Sequence, residues 1–251
     1  MEDVLGRLVG RSVLFNGLVI PGGSIELALS RYVDNLVIWN DDKTYRVSLV
    51  GSAVPVKFAN RYFLLCTNHQ LKRFRMEKVA LLARDGRNLV TSSGVRHFAD
   101  ESSPHYRDLA AFDFSEACEA RPEFKERFFH LLDVPPATHG ADTVAAVVAG
   151  FPTGEQVYEL SDKNHIGRSK RAVLCHPHPE TYDPALLCLR AREALNFDPD
   201  GMSGGSAFVV QIVNGVFKAY FAGMVVTGGR DRFHIVKAKD IYRFLEVLSD
   251  R

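Results

Sequence analysis

Three residues of this chain have the types and settings needed to make a hydroxyl attack a carbonyl. Ser203 stands among Gly201, Gly204 and Gly205 in the stretch FDPDGMSGGSAFVV (197–210), directly ahead of an apolar run. A serine hydroxyl is a poor nucleophile at neutral pH. It becomes an effective one only with a base in hydrogen-bond reach and a third group that holds the base in one tautomer. His69 closes the apolar run of RYFLLCTNHQL (61–71), which puts an imidazole at a strand end where a cleft could lie. Asp108 enters the apolar segment of HYRDLAAFDF (105–114), and a carboxylate carried into such a setting requires a partner. The glycines permit a tight turn, leave room for a substrate carbonyl and aim backbone N–H groups at the oxyanion. A flexible turn before a strand would use the same glycines, so the serine motif alone leaves both readings open.

These residues must be held by β-structure. Most of the chain reads as short strands of β-branched and aromatic residues separated by turn signals. Asp85-Gly86 and Asn214-Gly215 each sit between two apolar runs and predict two hairpins, because both turn residues adopt positive φ at little cost. Helical periodicity is confined to two places. RPEFKERFFHLLDV (121–134) places Pro122 at a first helical position with Phe124, Phe128, Leu131 and Leu132 on one stripe. KDIYRFLEVLSDR (239–251) places Ile241, Phe244, Leu245 and Leu248 on another, predicting a C-terminal helix docked by its apolar face. The segment 133–142 is the expected linker between two β-rich halves.

Composition bounds the function classes. With 31 Lys and Arg against 30 Asp and Glu in 251 residues, the chain lacks the strong positive field that draws proteins onto nucleic acid or anionic lipid. The basic run GRSKR (167–171) reads as a solvated loop. No segment approaches the length of a membrane span, and the first residues lack the apolar stretch of a secretion signal. Cys66, Cys118, Cys175 and Cys188 are widely spaced, which suits a reducing cytoplasm. Cys175, His176, His178 and Glu180 gather metal-ligand types, but their spacing with intervening prolines reads as a rigid loop, so no metal and no cofactor is expected. His97, His105 and His130 read as surface residues.

The order His, Asp, Ser in these local contexts resembles the chymotrypsin/trypsin-like serine peptidases, in an intracellular, non-zymogen form. LLCTNHQL is similar to the family's strand ending at its histidine, RDLAAFDF to its aspartate segment, and DGMSGGSAF to its Gly-x-Ser-Gly-Gly motif. VAAVVAGFP (144–152) is similar to the strand that opens the second barrel, and the resemblance spans Val47 to the C-terminus. It implies an all-β fold of two orthogonal six-stranded β-barrels of the chymotrypsin type with a C-terminal helix. The expected division is an N-terminal extension of no legible structure (1–40), a first barrel with a connecting helix (41–132) and a second barrel with the C-terminal helix (133–251). The implied roles are Ser203 as nucleophile, His69 as base and then acid, and Asp108 orienting the imidazole, with Asp113 as the fallback acid. The amides of Gly201 and Ser203 would form the oxyanion hole.

The departures from the family pattern are informative. The residue before the serine is Met202 rather than an aspartate, and no Ile/Val-Val-Gly-Gly start precedes the first barrel, so activation by N-terminal trimming is not expected. The N-terminal segment would instead pack on the barrels or bind a partner. Gln70 takes the place of the family's cysteine after the histidine, so the disulfide expected there is missing. Ser206 replaces the common proline after Gly-Gly, and Val226 falls where a serine usually supports the acid. Phe197 stands where trypsins carry the acid that selects Lys or Arg, so tryptic specificity is not implied. Phe197, Asp198, Asp200, Thr227, Gly228 and Gly229 are the substrate-pocket candidates, and Asp231 could add charge nearby.

The expectation is therefore a cytoplasmic serine endopeptidase acting on a protein or peptide through an acyl-enzyme. The alternatives are a silent or partner-gated protease fold that binds peptides or proteins, and a peptidase switched on by a regulatory protein partner within a stress or defence system. No nucleic acid and no membrane is expected as a partner.

Overall fold

The computed structural model describes residues 8–83, 86, 88–98, 105–136, 142–159, 165–179 and 183–249. The strands of the N-terminal half are β1 (Ser12–Phe15), β2 (Leu18–Pro21), β3 (Asp34–Trp39), β4 (Val47–Phe58), β5 (Arg61–Thr67), β6 (Val79–Leu82), β7 (Leu89–Thr91), β8 (Gly94–His97), β9 (Leu109–Asp113) and β10 (Phe129–His130). Those of the C-terminal half are β11 (Thr143–Gly150), β12 (Val157–Glu159), β13 (His165–Gly167), β14 (Arg171–His178), β15 (Leu186–Ala191), β16 (Ser206–Val213), β17 (Val216–Gly228) and β18 (Arg232–Lys237).

The second half closes into a six-stranded barrel in the order β16-β11-β14-β15-β18-β17, because β17 pairs back onto β16. Its interior is filled by Ala146, Val148, Cys175, Leu189, Val209 and Phe233 among others. The first half is a strongly curled half-barrel whose strands follow the path β7-β6-β3-β4-β5-β9-β8. It wraps Leu36, Leu64, Cys66, Phe112, Phe114 and Phe124. The predicted mostly-β fold with two barrel units and a C-terminal helix therefore stands, except that the first unit, expected as a six-stranded barrel, is a strongly curled half-barrel among the described residues.

A third core lies between the two units. Successive side chains of a strand point to opposite faces, so in β5 Tyr62, Leu64 and Cys66 enter the first unit's interior while Phe63 and Leu65 join the shared core. Both faces are covered, which is why RYFLLCT reads as a continuous apolar run rather than an alternating one. The helix Ala238–Ser249 docks Ile241, Phe244, Leu245 and Leu248 into this same core, as the periodicity predicts.

The N-terminal segment also belongs to this packing. β1 runs parallel to β17, with Val13 opposite Phe217, and β2 completes an antiparallel hairpin with it. Phe15 stacks on Phe129 at 5.4 Å and meets Phe208 edge-on at 5.6 Å. β3 lies in the first unit's sheet, between β4 and β6.

Other local expectations divide. Asn214 and Gly215 turn the β16–β17 hairpin with φ of 53° and 76°. β6 and β7 pair as the second predicted hairpin, although Asp85 lies outside the described residues. The helix expected from Pro122 to Leu132 is a 3₁₀ turn, Pro122–Arg127, after which Phe129 and His130 pair with β4. Phe124 and Phe128 face the first unit's interior, while Phe129 and Leu131 face the shared core, so a strand-like alternation replaces the helical stripe. The expected linker falls partly on residues 137–141, outside the described residues.

The proline-rich segment CHPHPE is not a loop: Cys175 to His178 end β14. Pro177 is tolerated there because β11 pairs with β14 only as far as Cys175, so the missing N–H faces no partner strand. Glu180 lies outside the described residues. GRSKR keeps the expected loop at 168–170, with Arg168 and Lys170 exposed, but its side chains are engaged. Arg168 pairs with Asp34 of β3, Lys170 donates to the Ser30 carbonyl, and Arg171 holds Glu155 with two hydrogen bonds. Among the described residues no helix is long and apolar enough to cross a membrane.

Candidate active site

The base and the acid are brought together by strand register. β5 ends at Thr67, which caps a single helical turn, Asn68–Leu71. β9 pairs with β5 so that Leu109 stands opposite Thr67. Asp108 closes the 3₁₀ turn Tyr106–Asp108 just ahead of that pairing, so its carboxylate reaches the turn carrying His69 across 39 residues of chain. Asp108 Oδ2 lies 2.7 Å from His69 Nδ1, and Oδ1 accepts the His69 backbone N–H at 2.9 Å. With a carboxylate on Nδ1, that nitrogen carries the proton of the neutral ring and Nε2 keeps its lone pair. The fallback acid is excluded by position: Asp113 pairs with Arg61 at 2.5 Å and caps Ser115, away from His69.

The serine turn is held by its carbonyls. Asp200 O accepts the Thr153 N–H at 2.8 Å, Gly201 O the Ser52 hydroxyl at 2.7 Å, Met202 O the Gly205 N–H at 2.9 Å, and Ser203 O the Gln70 amide at 2.8 Å. In a trans peptide the N–H points opposite to the carbonyl. Pinning the carbonyls of Asp200 and Met202 therefore orients the N–H groups of Gly201 and Ser203. Neither amide donates to an acceptor among the described residues.

The glycines answer to packing as well as to approach of substrate. Gly201 and Gly204 have φ of 90° and 81°, and a Cβ on them would lie 2.4 Å from Thr153 Oγ1 and 2.0 Å from the Ser52 carbonyl oxygen. Met202, at the position where activated family members carry an aspartate, is fully buried in the second barrel's core.

The Ser203 hydroxyl donates to the Val226 carbonyl at 3.2 Å. His69 Nε2 has Thr67 Oγ1 at 3.5 Å. The serine and the imidazole nevertheless line one cleft of about 630 Å³, together with Asn68, Lys72, His105, Asp108, Pro199, Asp200, Gly201, Val226, Thr227 and Gly228.

Of the pocket candidates, Asp200, Thr227 and Gly228 reach this cleft. Phe197 does not: it packs against the second barrel's core beneath the Arg171 guanidinium, 5.5 Å away. Asp198 is spent on accepting the Asp200 N–H at 3.0 Å, and Gly229 donates to Arg232 O in the turn before β18. Asp231 pairs with Arg190 at 2.9 Å instead of charging the pocket. Conversely, His105, read as a surface residue, lines the cleft, with Nε2 3.8 Å from Asp183 Oδ2. Its place three residues before Asp108 was the available signal. Burial, then His105 and Arg232, hold His234 below the ordinary imidazole range, on β18 opposite Thr227 of β17. Among the described residues no cluster of three metal-ligand side chains occurs.

No protein-family model and no curated protein sequence matches the chain. The fold does match 204 solved chains. One of them, human heparin binding protein, is a chymotrypsin-fold protein that superposes with a TM-score of 0.52 at 15% identity, covering 87% of this chain and 91% of that one. The chain therefore has the chymotrypsin-like fold.

Proposed function

We propose that this chymotrypsin-fold protein is a serine endopeptidase. The observation that carries the reading is the two-point contact of Asp108 with His69, which orients the imidazole from both its backbone N–H and its Nδ1. On this reading the Ser203 hydroxyl leaves the Val226 carbonyl and turns to the His69 Nε2 that lines the same cleft. His69 then takes the hydroxyl proton as Oγ bonds to the scissile carbonyl carbon, and the Gly201 and Ser203 amides receive the oxyanion. Collapse breaks the C–N bond, the amine leaves with the proton from His69, and a water activated by the same imidazole releases the acyl group from Ser203.

The test is fluorophosphonate labelling of the purified chain beside Ser203→Ala, with peptide mapping of the adduct. Labelling confined to Ser203 supports the reading, and its absence at all pH values between about 6 and 9 removes it for the isolated chain.

A second reading is favoured by one observation. The Ser203 hydroxyl is engaged by the Val226 carbonyl, an arrangement suited to a silent or partner-gated protease fold that binds peptides or proteins. The heparin binding protein is likewise named for a ligand rather than a reaction. On that reading a peptide or protein binds the cleft while the purified chain stays unlabelled until a regulatory partner is added. In either case a cytoplasmic setting is proposed, supported by four buried cysteines that form no disulfide.

A further inference from the structure

We infer that Gln70 is a positioning residue that fixes the distance between base and nucleophile, an inference that rests on the reading of Ser203 and His69 as the reacting pair. Gln70 follows His69 in the helical turn after β5. Its Oε1 accepts the Thr67 hydroxyl at 2.7 Å and the Thr67 N–H at 3.2 Å. Its Nε2 donates to the Ser203 carbonyl at 2.8 Å and to the Ser52 carbonyl at 3.3 Å. Two donors face the oxygen and two acceptors face the nitrogen, so only one orientation of the amide satisfies all four groups.

The slot that holds this amide is built by missing side chains. A Cβ on Gly51, which has φ of 124°, would lie 2.6 Å from Nε2, and a Cβ on Gly204 would lie 2.9 Å from Oε1. Ser52, fully buried, completes the tie: its hydroxyl accepts the Phe151 N–H and donates to the Gly201 carbonyl, both at 2.7 Å. The residue next to the base thus grips the backbone of the nucleophile across the junction of the two units. Where the family resemblance implies a disulfide cysteine, a hydrogen-bonded amide joins the histidine turn to the serine turn.

The consequence is specific. Replacing Gln70 by the similarly shaped Met removes the donor to the Ser203 carbonyl and leaves the His69–Asp108 contact intact. Positioning to within about 1 Å governs about a hundredfold in rate, so Gln70→Met in the full chain is expected to lower the maximal rate of Ser203 labelling by about 10- to 100-fold. The pH at which labelling is half-maximal should not move, because the base and its acid are untouched. Hydrogen–deuterium exchange gives a readout free of activity: the peptide covering residues 199–206 should exchange about tenfold faster in Gln70→Met, with the strands of the second barrel unchanged. Thr67→Val, which removes one of the two donors to Oε1 and leaves the backbone N–H, should raise exchange at 199–206 by less, and this exchange readout carries the test if Gln70→Met does not fold.

Unchanged exchange at 199–206 overturns the inference, as does faster exchange with an undiminished labelling rate. If the wild-type chain is never labelled while exchange still rises in Gln70→Met, the hydrolase reading fails and the link to catalysis fails with it, leaving Gln70 as a tie between the two turns. A shifted pH profile would also overturn it, since it would show that Gln70 acts by supporting His69 rather than by holding Ser203.

Discussion

Asp34, in the first unit, accepts a hydrogen bond from Arg168, in the second, at 2.9 Å. Its other carboxylate oxygen takes Arg127 at 2.8 Å, and Asp34 and Arg127 expose only 11% and 9% of their side chains. A buried carboxylate between two guanidiniums cannot be removed without leaving like charges face to face. Asp34→Ala is expected to lower unfolding stability by about 3 kcal/mol in urea denaturation. Arg168→Ala should cost less, because Arg127 remains and Arg168 is more open to water.

The orientation of His69 leads to a comparison of two carboxylates. Asp108→Asn replaces an acceptor for Nδ1–H by a group that can stabilise the wrong tautomer, and the labelling rate of Ser203 should fall by on the order of 10⁴. Asp113→Asn should leave labelling within about twofold, since Asp113 serves Arg61 and Ser115. Parallel labelling time courses of the two variants separate the roles.

Two glycines at similar φ should respond differently to a methyl group. Gly215, at φ 76°, has open space where a Cβ would stand, and Gly215→Ala should cost about 1 kcal/mol from conformation alone. Gly204, at φ 81°, would drive its Cβ to 2.0 Å from the Ser52 carbonyl oxygen. Gly204→Ala should lose several-fold more stability in thermal unfolding and abolish labelling, because the serine turn must move.

Stability should weaken on mild acidification. Burial, then His105 and Arg232, lower the His234 pKa; burial, then Arg190, His178 and Arg192, lower that of His176. An unfolded histidine takes up its proton near about pH 6.5, whereas these two take it up only at lower pH in the folded chain. The unfolded state therefore binds more protons in that interval. The stabilisation is complete above about pH 6.5 and declines as pH falls toward the folded values. Urea midpoints measured at about pH 7.5 and about pH 5.5 should show the drop, and His234→Asn should shrink it.

The thiols should be inert in the native protein. Burial pushes Cys118 up to about 12, and burial, with Asp108 adding to it, raises Cys66 further. A neutral, buried thiol is neither accessible nor nucleophilic. Iodoacetamide at about pH 8 should modify none of the four cysteines in the folded chain and all of them in denaturant, as counted by intact mass.

What the sequence determined by itself is the local structure and the order in which the candidate site residues occur. Strand-forming runs, the Asn214-Gly215 turn and the C-terminal apolar stripe are local properties, and each was readable because propensity and periodicity act over a few residues. Ser203 among glycines, His69 at a strand end and Asp108 before an apolar strand were readable for the same reason, as was the double-barrel fold their order implied. Tertiary structure decided everything that depends on pairing across distance. The register of β9 on β5 sets Asp108 on His69, and the same fold turns Phe197 into the second barrel's core and brings His105 into the cleft. The run after Pro122 became a 3₁₀ turn and a strand because β4 offered a partner and two cores lay on its two sides. Ser52 looked ordinary in the sequence and Gln70 stood out only as a missing cysteine, and only the contact between the two units made them the groups that hold the serine turn.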